Sequence, residues 1–282
     1  MVDQAHRLRQ LAQQWQQRQS RRIIAITSGK GGVGKTNIAT NLALALHGNG
    51  YTVTLLDADL GLANVDVLLG ISPPYTLHQF VSGQCSLADV VYPAYGINII
   101  AGGSGLEELA ALPENRLLHL FHDAARIESD FFIIDTGAGI STKVTSLALA
   151  AQEVILVTTP EPTSLTDTYA LIKVLIRKNK NLSLYLIINR ASSKETLQIT
   201  TNFCRVVQDF LSVSMNYLGY IPEDRSVRKA VSCQRPLLLA YPSAPAAERL
   251  RTIAIALSDD AQPKAGGIGW SGFLGRLRAL FQ

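Results

Sequence analysis

Cysteine is scarce in this 282-residue chain: Cys85, Cys204 and Cys233 are the three, and no two of them form a C-x-x-C pair. A disulfide framework is excluded by that count, and isolated thiols fit a reducing compartment. The five histidines, at positions 6, 47, 78, 119 and 122, have no spacing that would join the acids in a transition-metal site. Long apolar runs are missing as well. None approaches the ~20 residues of a membrane span, and the polar N-terminus lacks a signal-peptide core, so the chain is expected inside the cell. Net positive charge is absent from the body of the chain. The total is +4, but residues 1–22 carry five arginines against Asp3, itself +4, so the remaining 260 residues sum to zero. That balance gives no support to a basic nucleic-acid face, and no nucleic-acid partner is expected.

What is there is 47% hydrophobic and 17% charged, enough to bury one α/β domain of about 240 residues flanked by tails. The body is organised around Gly29-Lys30-Gly31-Gly32-Val33-Gly34-Lys35-Thr36, which follows an apolar run (Ile23–Ile26) and precedes a segment rich in Ala and Leu (Asn37–His47). A strand, a G-x-x-x-x-G-K-[ST] loop and a helix form a phosphate cradle. The glycines let backbone N–H groups curl round an anion, and the helix N-terminus adds partial positive charge. Lys35 is placed to reach the β and γ phosphates and Thr36 to bind magnesium. Lys30 is a second lysine that the basic pattern does not require.

Strands alternating with helices predict a mostly parallel, twisted sheet with helices on both faces, a three-layer α/β/α fold. In such a sheet, ligands bind outside the carboxyl ends of the strands. Thr52–Asp57 and Phe131–Asp135 are apolar strands ending in acids, so Asp57 and Asp135 are candidate magnesium ligands, and Asp59 is placed to orient water beside the γ phosphate. Thr136-Gly137-Ala138-Gly139 continues the second strand into a loop toward the γ phosphate, whereas Gly102-Gly103-Ser104-Gly105 lacks a Lys-Thr ending and reads as loop chemistry. Asn189 and Arg190 end the strand Leu184–Ile188. An Asn there serves either as a turn residue or as a donor and acceptor for the adenine edge, with Pro222 and Glu223 as a further wall of the base pocket.

The tails differ in kind. Residues 3–15 place Ala5, Leu8, Leu11, Ala12 and Trp15 on one thin stripe of a polar helix, either a frayed terminal helix or one that folds on a partner. Residues 258–269 read as a linker. Beyond it, Trp270, Phe273, Leu274, Leu277, Leu280 and Phe281 share one helical face with Arg276 and Arg278 off it. That face suits either an interfacial anchor on anionic lipid or a helix docked back on protein. The organisation expected is therefore a basic segment (1–22), a core (23–257), a linker (258–269) and an amphipathic helix (270–282).

Taken together, the Gly29–Thr36 loop with Lys30, Asp57-Ala58-Asp59, and Asp135-Thr136-Gly137-Ala138-Gly139 closely resemble the deviant Walker A ATPases of the MinD/ParA class, over residues 22 to about 257. The resemblance implies ATP hydrolysis with ATP/ADP and Mg²⁺ as cofactors, and an ATP-bound homodimer in which Lys30 reaches the partner's phosphates. It also implies a catalytic group of Lys30, Lys35 and Asp59, with Thr36, Asp57 and Asp135 at the metal and Asn189, Arg190, Pro222 and Glu223 around the adenosine. Asn37 stands where many of the class have Thr or Ser, and would contribute an α-phosphate contact. Asp3-Gln4-Ala5-His6-Arg7-Leu8-Arg9 resembles the D-Q-A-x-x-L-R activator helix of the FlhG (YlxH) family, and Thr-Gly-Ala-Gly after Asp135 is similar to it too. This implies that Asp3, Gln4, Leu8 and Arg9 contact the FlhF GTPase, that flagellar switch-complex (C-ring) proteins are partners, and that the C-terminal helix targets the inner face of the membrane. The other readings open on the same core are division-site placement of the MinD type and DNA partition of the ParA type. An iron–sulfur carrier on this core would need cysteines that the chain lacks.

Overall fold

The eight strands among the described residues are β1 (Arg22–Ser28), β2 (Val53–Ala58), β3 (Val91–Ala94), β4 (Ile97–Ile100), β5 (Phe131–Ala138), β6 (Glu153–Thr158), β7 (Ser183–Asn189) and β8 (Asn216–Ile221). The central ones carry apolar side chains at odd and even positions alike, as a sheet covered on both faces requires. In β1, Ile24 and Ile26 enter one core while Ile23 and Ala25 enter the other. The computed structural model describes residues 21–59, 64–103, 114–151, 153–259 and 269–281. The strand order is β3-β4-β2-β5-β1-β6-β7-β8, parallel except for the antiparallel β3–β4 pair at one edge.

One layer holds α1 (Lys35–Gly48), α2 (Val65–Leu69), α9 (Arg225–Ser232), α10 (Leu237–Ala240) and α11 (Pro245–Asp259). The other holds α3 (Leu77–Val81), α4 (Leu87–Val90), α5 (Glu114–Ala124), α6 (Thr142–Ala151), α7 (Pro162–Lys178), α8 (Ser193–Leu211) and α12 (Trp270–Leu280). The three-layer reading of the sequence is met. Strand β3 escaped it: Tyr95 and Gly96 both take positive φ, 53° and 84°, which makes a two-residue hairpin turn back into β4. Its Pro93 is tolerated because the strand lies at the sheet edge.

Of the two readings left open for the C-terminal face, the structure shows the docked one. Trp270, Phe273 and Leu277 are buried against α5 and α6, with Leu274, Leu280 and Phe281 half-buried at the rim, so this helix is part of the core. Trp270 meets Phe132 edge-on at 4.8 Å between centroids, and Phe273 lies 4.8 Å from Phe121. The Arg276 guanidinium donates to the Ala150 carbonyl at the last turn of α6, 3.0 Å from Nε. Periodicity could not reveal this, because an apolar stripe of one helix fits lipid and protein equally well. No helix among the described residues is long and apolar enough to cross a membrane. Residues 1–20, with Asp3, Gln4, Leu8 and Arg9, and most of the linker lie outside the described residues.

Candidate phosphate-binding active site

Strand β1 runs out of the sheet between β5 and β6 and turns sharply into α1. Gly29 makes the turn possible, since a Cβ there would collide with the Asp167 backbone. Gly34 takes φ of +90° as the residue before α1, and a Cβ on it would sit 2.5 Å from Asn189 Nδ2. No side chain caps this end of α1 and its first turn carries no acid, an arrangement that suits an anion. Helix α1 begins two residues earlier than Asn37, so Lys35 and Thr36 belong to its first turn.

Gly31–Asn37 line a cavity of about 670 Å³ that is also lined by Asp59, Gly137, Ser141 and Lys143. A second cavity, of about 780 Å³, shares Gly34 and Asn37 with it and is lined by Asn189, Arg190, Pro222 and Glu223. The residues expected at phosphates and at base thus fall on two adjoining chambers. Within the second, Asn189 donates from Nδ2 to the Val33 carbonyl (2.7 Å) and accepts from the Arg190 N–H (3.0 Å). Its amide therefore braces the loop while the residue lines the second cavity. Arg190 has φ of 56° and donates to the Gly32 carbonyl, another brace on the same loop. Glu223 is exposed and paired with Arg228 at 2.7 Å.

Two acids meet beneath the first cavity. Asp57 and Asp135 are register partners on adjacent strands, both buried. Lys35 Nζ donates to Asp135 Oδ1 at 2.6 Å, and Thr36 hydrogen-bonds the same carboxylate. Burial pushes the Asp135 carboxyl up, against the pull of Lys35. Burial and then the Asp135 charge push Asp57 up to about 7, opposed by N–H groups of Val65, Asn64 and Asp59. Asp135 Oδ2 is buried with no hydrogen-bond partner among the described residues. Two raised carboxylates, one with an unpartnered oxygen, beside a hydroxyl make a donor set that fits a hard divalent cation. No cluster of three His, Cys, Asp or Glu that could hold a metal unaided occurs among the described residues, so such a cation would also need phosphate oxygens and water.

Asp59 lines the cavity beside Gly137, where a Cβ on the glycine would come 3.4 Å from Asp59 Oδ1. Lys30 is turned away from the cavity: its Nζ lies 2.9 Å from Glu161 Oε2 and 3.0 Å from Thr163 Oγ1. Glu161, Thr163 and Lys143 were missed in the sequence. The first two follow the carboxyl end of β6, so the rule that singled out Asp57 and Asp135 would have reached them.

A family model described as ParA, NUBPL iron-transfer P-loop NTPase, matches residues 19–258. The chain belongs to the ParA family of P-loop NTPases. Within that family it is 44% identical over 237 residues to the antiactivator FleN of Pseudomonas aeruginosa, covering 82% of this chain and 84% of FleN. It is 38% identical over 222 residues to the flagellum site-determining protein YlxH of Helicobacter pylori, covering 77% of this chain and 74% of YlxH. Among solved structures, the septum site-determining protein MinD of Pyrococcus horikoshii, complexed with Mg-ADP, superposes with a TM-score of 0.71 at 31% identity, over 86% of this chain and 97% of MinD. The iron-transfer part of the family description finds no counterpart in the cysteines, which are free and scattered.

Proposed function

We propose that this ParA-family chain is a magnesium-dependent ATPase that cycles between a monomer and an ATP-bound homodimer, associates reversibly with the inner face of the cell membrane, and regulates the number or placement of flagella. The flagellar part rests on the likeness to FleN and YlxH. In this reading the base and ribose occupy the chamber of Asn189, Pro222 and Glu223, and the phosphates the chamber of Gly31–Asn37. Thr36, Asp57 and Asp135 hold Mg²⁺, which shields the phosphate charge. Lys35 exchanges Asp135 for the phosphates of its own subunit, and Lys30 exchanges Glu161 for those of the partner. Asp59 orients the attacking water. Turnover measured with and without Mg²⁺ tests this, with Asp59→Ala predicted to bind ATP without hydrolysing it; equal turnover by the variant would overturn the assignment.

One observation carries the switch: α6 lines the phosphate cavity with its first turn and holds the tail helix with its last, through the Ala150 carbonyl and Arg276. A shift of α6 with nucleotide state would loosen α12. The docked state also leaves Trp270 Nε1 and Arg276 Nη1 buried without partners among the described residues, at ~1–3 kcal/mol each. Released, Trp270, Phe273 and Leu277 would face lipid. One such short helix binds weakly, and two on a dimer would gain about 10²–10⁴ in avidity.

Residues 3–9 would stimulate the FlhF GTPase through Gln4, with switch-complex proteins as further partners. Division-site placement is the second reading, favoured by the likeness to MinD. A GTPase assay with FlhF and a peptide of residues 1–22 separates the two. Stimulation by the native peptide and none by Gln4→Ala supports the flagellar reading, and no stimulation by either favours the second.

A further inference from the structure

Strand β5 falls out of step with β1 directly after Asp135. Ile26 faces Asp135 and Ser28 faces Ala138, so two steps along β1 answer three along β5, which is a one-residue bulge. On its other side β5 keeps register with β2, with Asp57 against Asp135 and Ala58 against Thr136. The irregularity falls at Thr136 and Gly137, where the chain passes from the buried acid to the cavity wall of Gly137 and Ala138.

Thr136 holds that bulge in shape. It is fully buried, and its hydroxyl donates to the Gly137 carbonyl at 2.9 Å and to the Ile26 carbonyl at 3.2 Å, one proton shared by the two strands. A trans peptide plane sets its N–H opposite its carbonyl, so holding the Gly137 carbonyl fixes the Ala138 N–H with it. Further along, the Gly139 N–H donates to the Ser28 carbonyl at 2.8 Å, and the Ser28 hydroxyl donates to the Lys30 carbonyl at 2.9 Å. The wall is thus pinned to β1 at both ends and, through Ser28, to the P-loop. Between the pins there is little slack: a Cβ on Gly137 would lie 3.4 Å from both Asp59 Oδ1 and Val144 Cγ2.

We propose that Thr136 is a positioning residue whose hydroxyl holds the Gly137–Gly139 wall against Asp59, so that the water Asp59 orients stands in place for attack. The inference rests on the nucleotide reading above and deepens it with a residue that touches neither nucleotide nor metal. Its effect falls on turnover more than on binding, because the P-loop that cradles the phosphates lies on other residues, Gly31–Asn37.

The test uses the full chain, with Thr136→Val to keep the shape without the hydroxyl and Thr136→Ser to keep the hydroxyl. Steady-state ATP turnover in Mg²⁺ gives kcat and KM, and thermal unfolding without nucleotide checks the fold. Thr136→Val lowers kcat about 10-fold or more while KM for ATP stays within about threefold, as displacement of an orienting group does. Thr136→Ser regains most of the lost kcat. The inference is overturned if Thr136→Val turns over as wild type does, if it raises KM as much as it lowers kcat, or if Thr136→Ser is as slow as Thr136→Val. A Thr136→Val chain unfolded at the assay temperature assigns the hydroxyl to stability alone and overturns it too. A wild-type chain without Mg²⁺-dependent turnover overturns the nucleotide reading itself, and this inference with it.

Discussion

Lys30 and Glu161 of the same chain form an ion pair, 2.9 Å from Nζ to Oε2, while Lys35, five residues on, is buried on Asp135. The two lysines of one loop thus have separate partners, one in solvent and one in the core.

The first pair is exposed, 40% for Lys30 and 61% for Glu161, so solvent screens it and its contribution to stability is small. Lys30→Ala should leave the melting temperature within about 2 °C of wild type. It should also keep ATP binding while losing the ATP-bound dimer. Asp59→Ala, in contrast, should still dimerise. Size exclusion in ATP checks the contrast, and identical elution of the two variants would contradict it.

Asp57 carries a sign that can be checked. Its carboxyl sits at about 7 in the folded chain against an ordinary 3.8, so the folded state binds the proton more tightly than the unfolded one. Its contribution is fully present below about pH 4 and is lost as pH rises through 7, by up to ~4 kcal/mol without metal. Wild type should therefore gain stability relative to Asp57→Asn as pH is lowered from 8 to 5. Denaturant titrations without Mg²⁺ or nucleotide read the gap, and a gap independent of pH rejects the assignment.

The loop has no room at two glycines. Gly29→Ala drives a methyl into the Asp167 backbone, and Gly34→Ala combines a positive φ with a contact 2.5 Å from Asn189 Nδ2. Each should reduce ATP affinity at least ~10-fold, because the loop must shift to admit the methyl. Gly48→Ala, at the far end of α1, is the control: a Cβ there meets nothing within 4 Å. Nucleotide titration that ranks Gly48→Ala with the other two would contradict this geometry.

The tail can be loosened from the domain side. Phe121 meets both Trp270 and Phe273, so Phe121→Leu weakens the dock while leaving the tail's own apolar face intact. It should raise hydrogen exchange in α12 and increase liposome binding several-fold in ADP. Unchanged exchange would show that the aromatic cluster does not hold the helix.

Much of this was legible in the sequence because it depends on short-range pattern. Apolar runs ending in Asp57, Asp135 and Asn189 placed the sheet edge, and the Gly29–Thr36 spacing placed the cradle. The pairing of Lys30 with Glu161 joins residues 131 apart in sequence, and no local signal marks such a pair. The same holds for Arg276 and Ala150, 126 apart, which is why the docking of α12 was open until the fold was known. Asn189 was found by its position at a strand end, but its bond to Val33 is a property of the folded loop alone.

The central claim is that nucleotide state governs the tail helix, and co-sedimentation with anionic liposomes tests it most directly. Removing residues 270–282 whole would uncover Phe121 and Phe132, so Leu274→Asp and Leu280→Asp at the half-buried rim are the better controls. The account predicts wild-type binding in ATP, little in ADP, and loss of the ATP-dependent part in both variants. Binding that is the same in ATP and ADP, and the same in both variants, would contradict it.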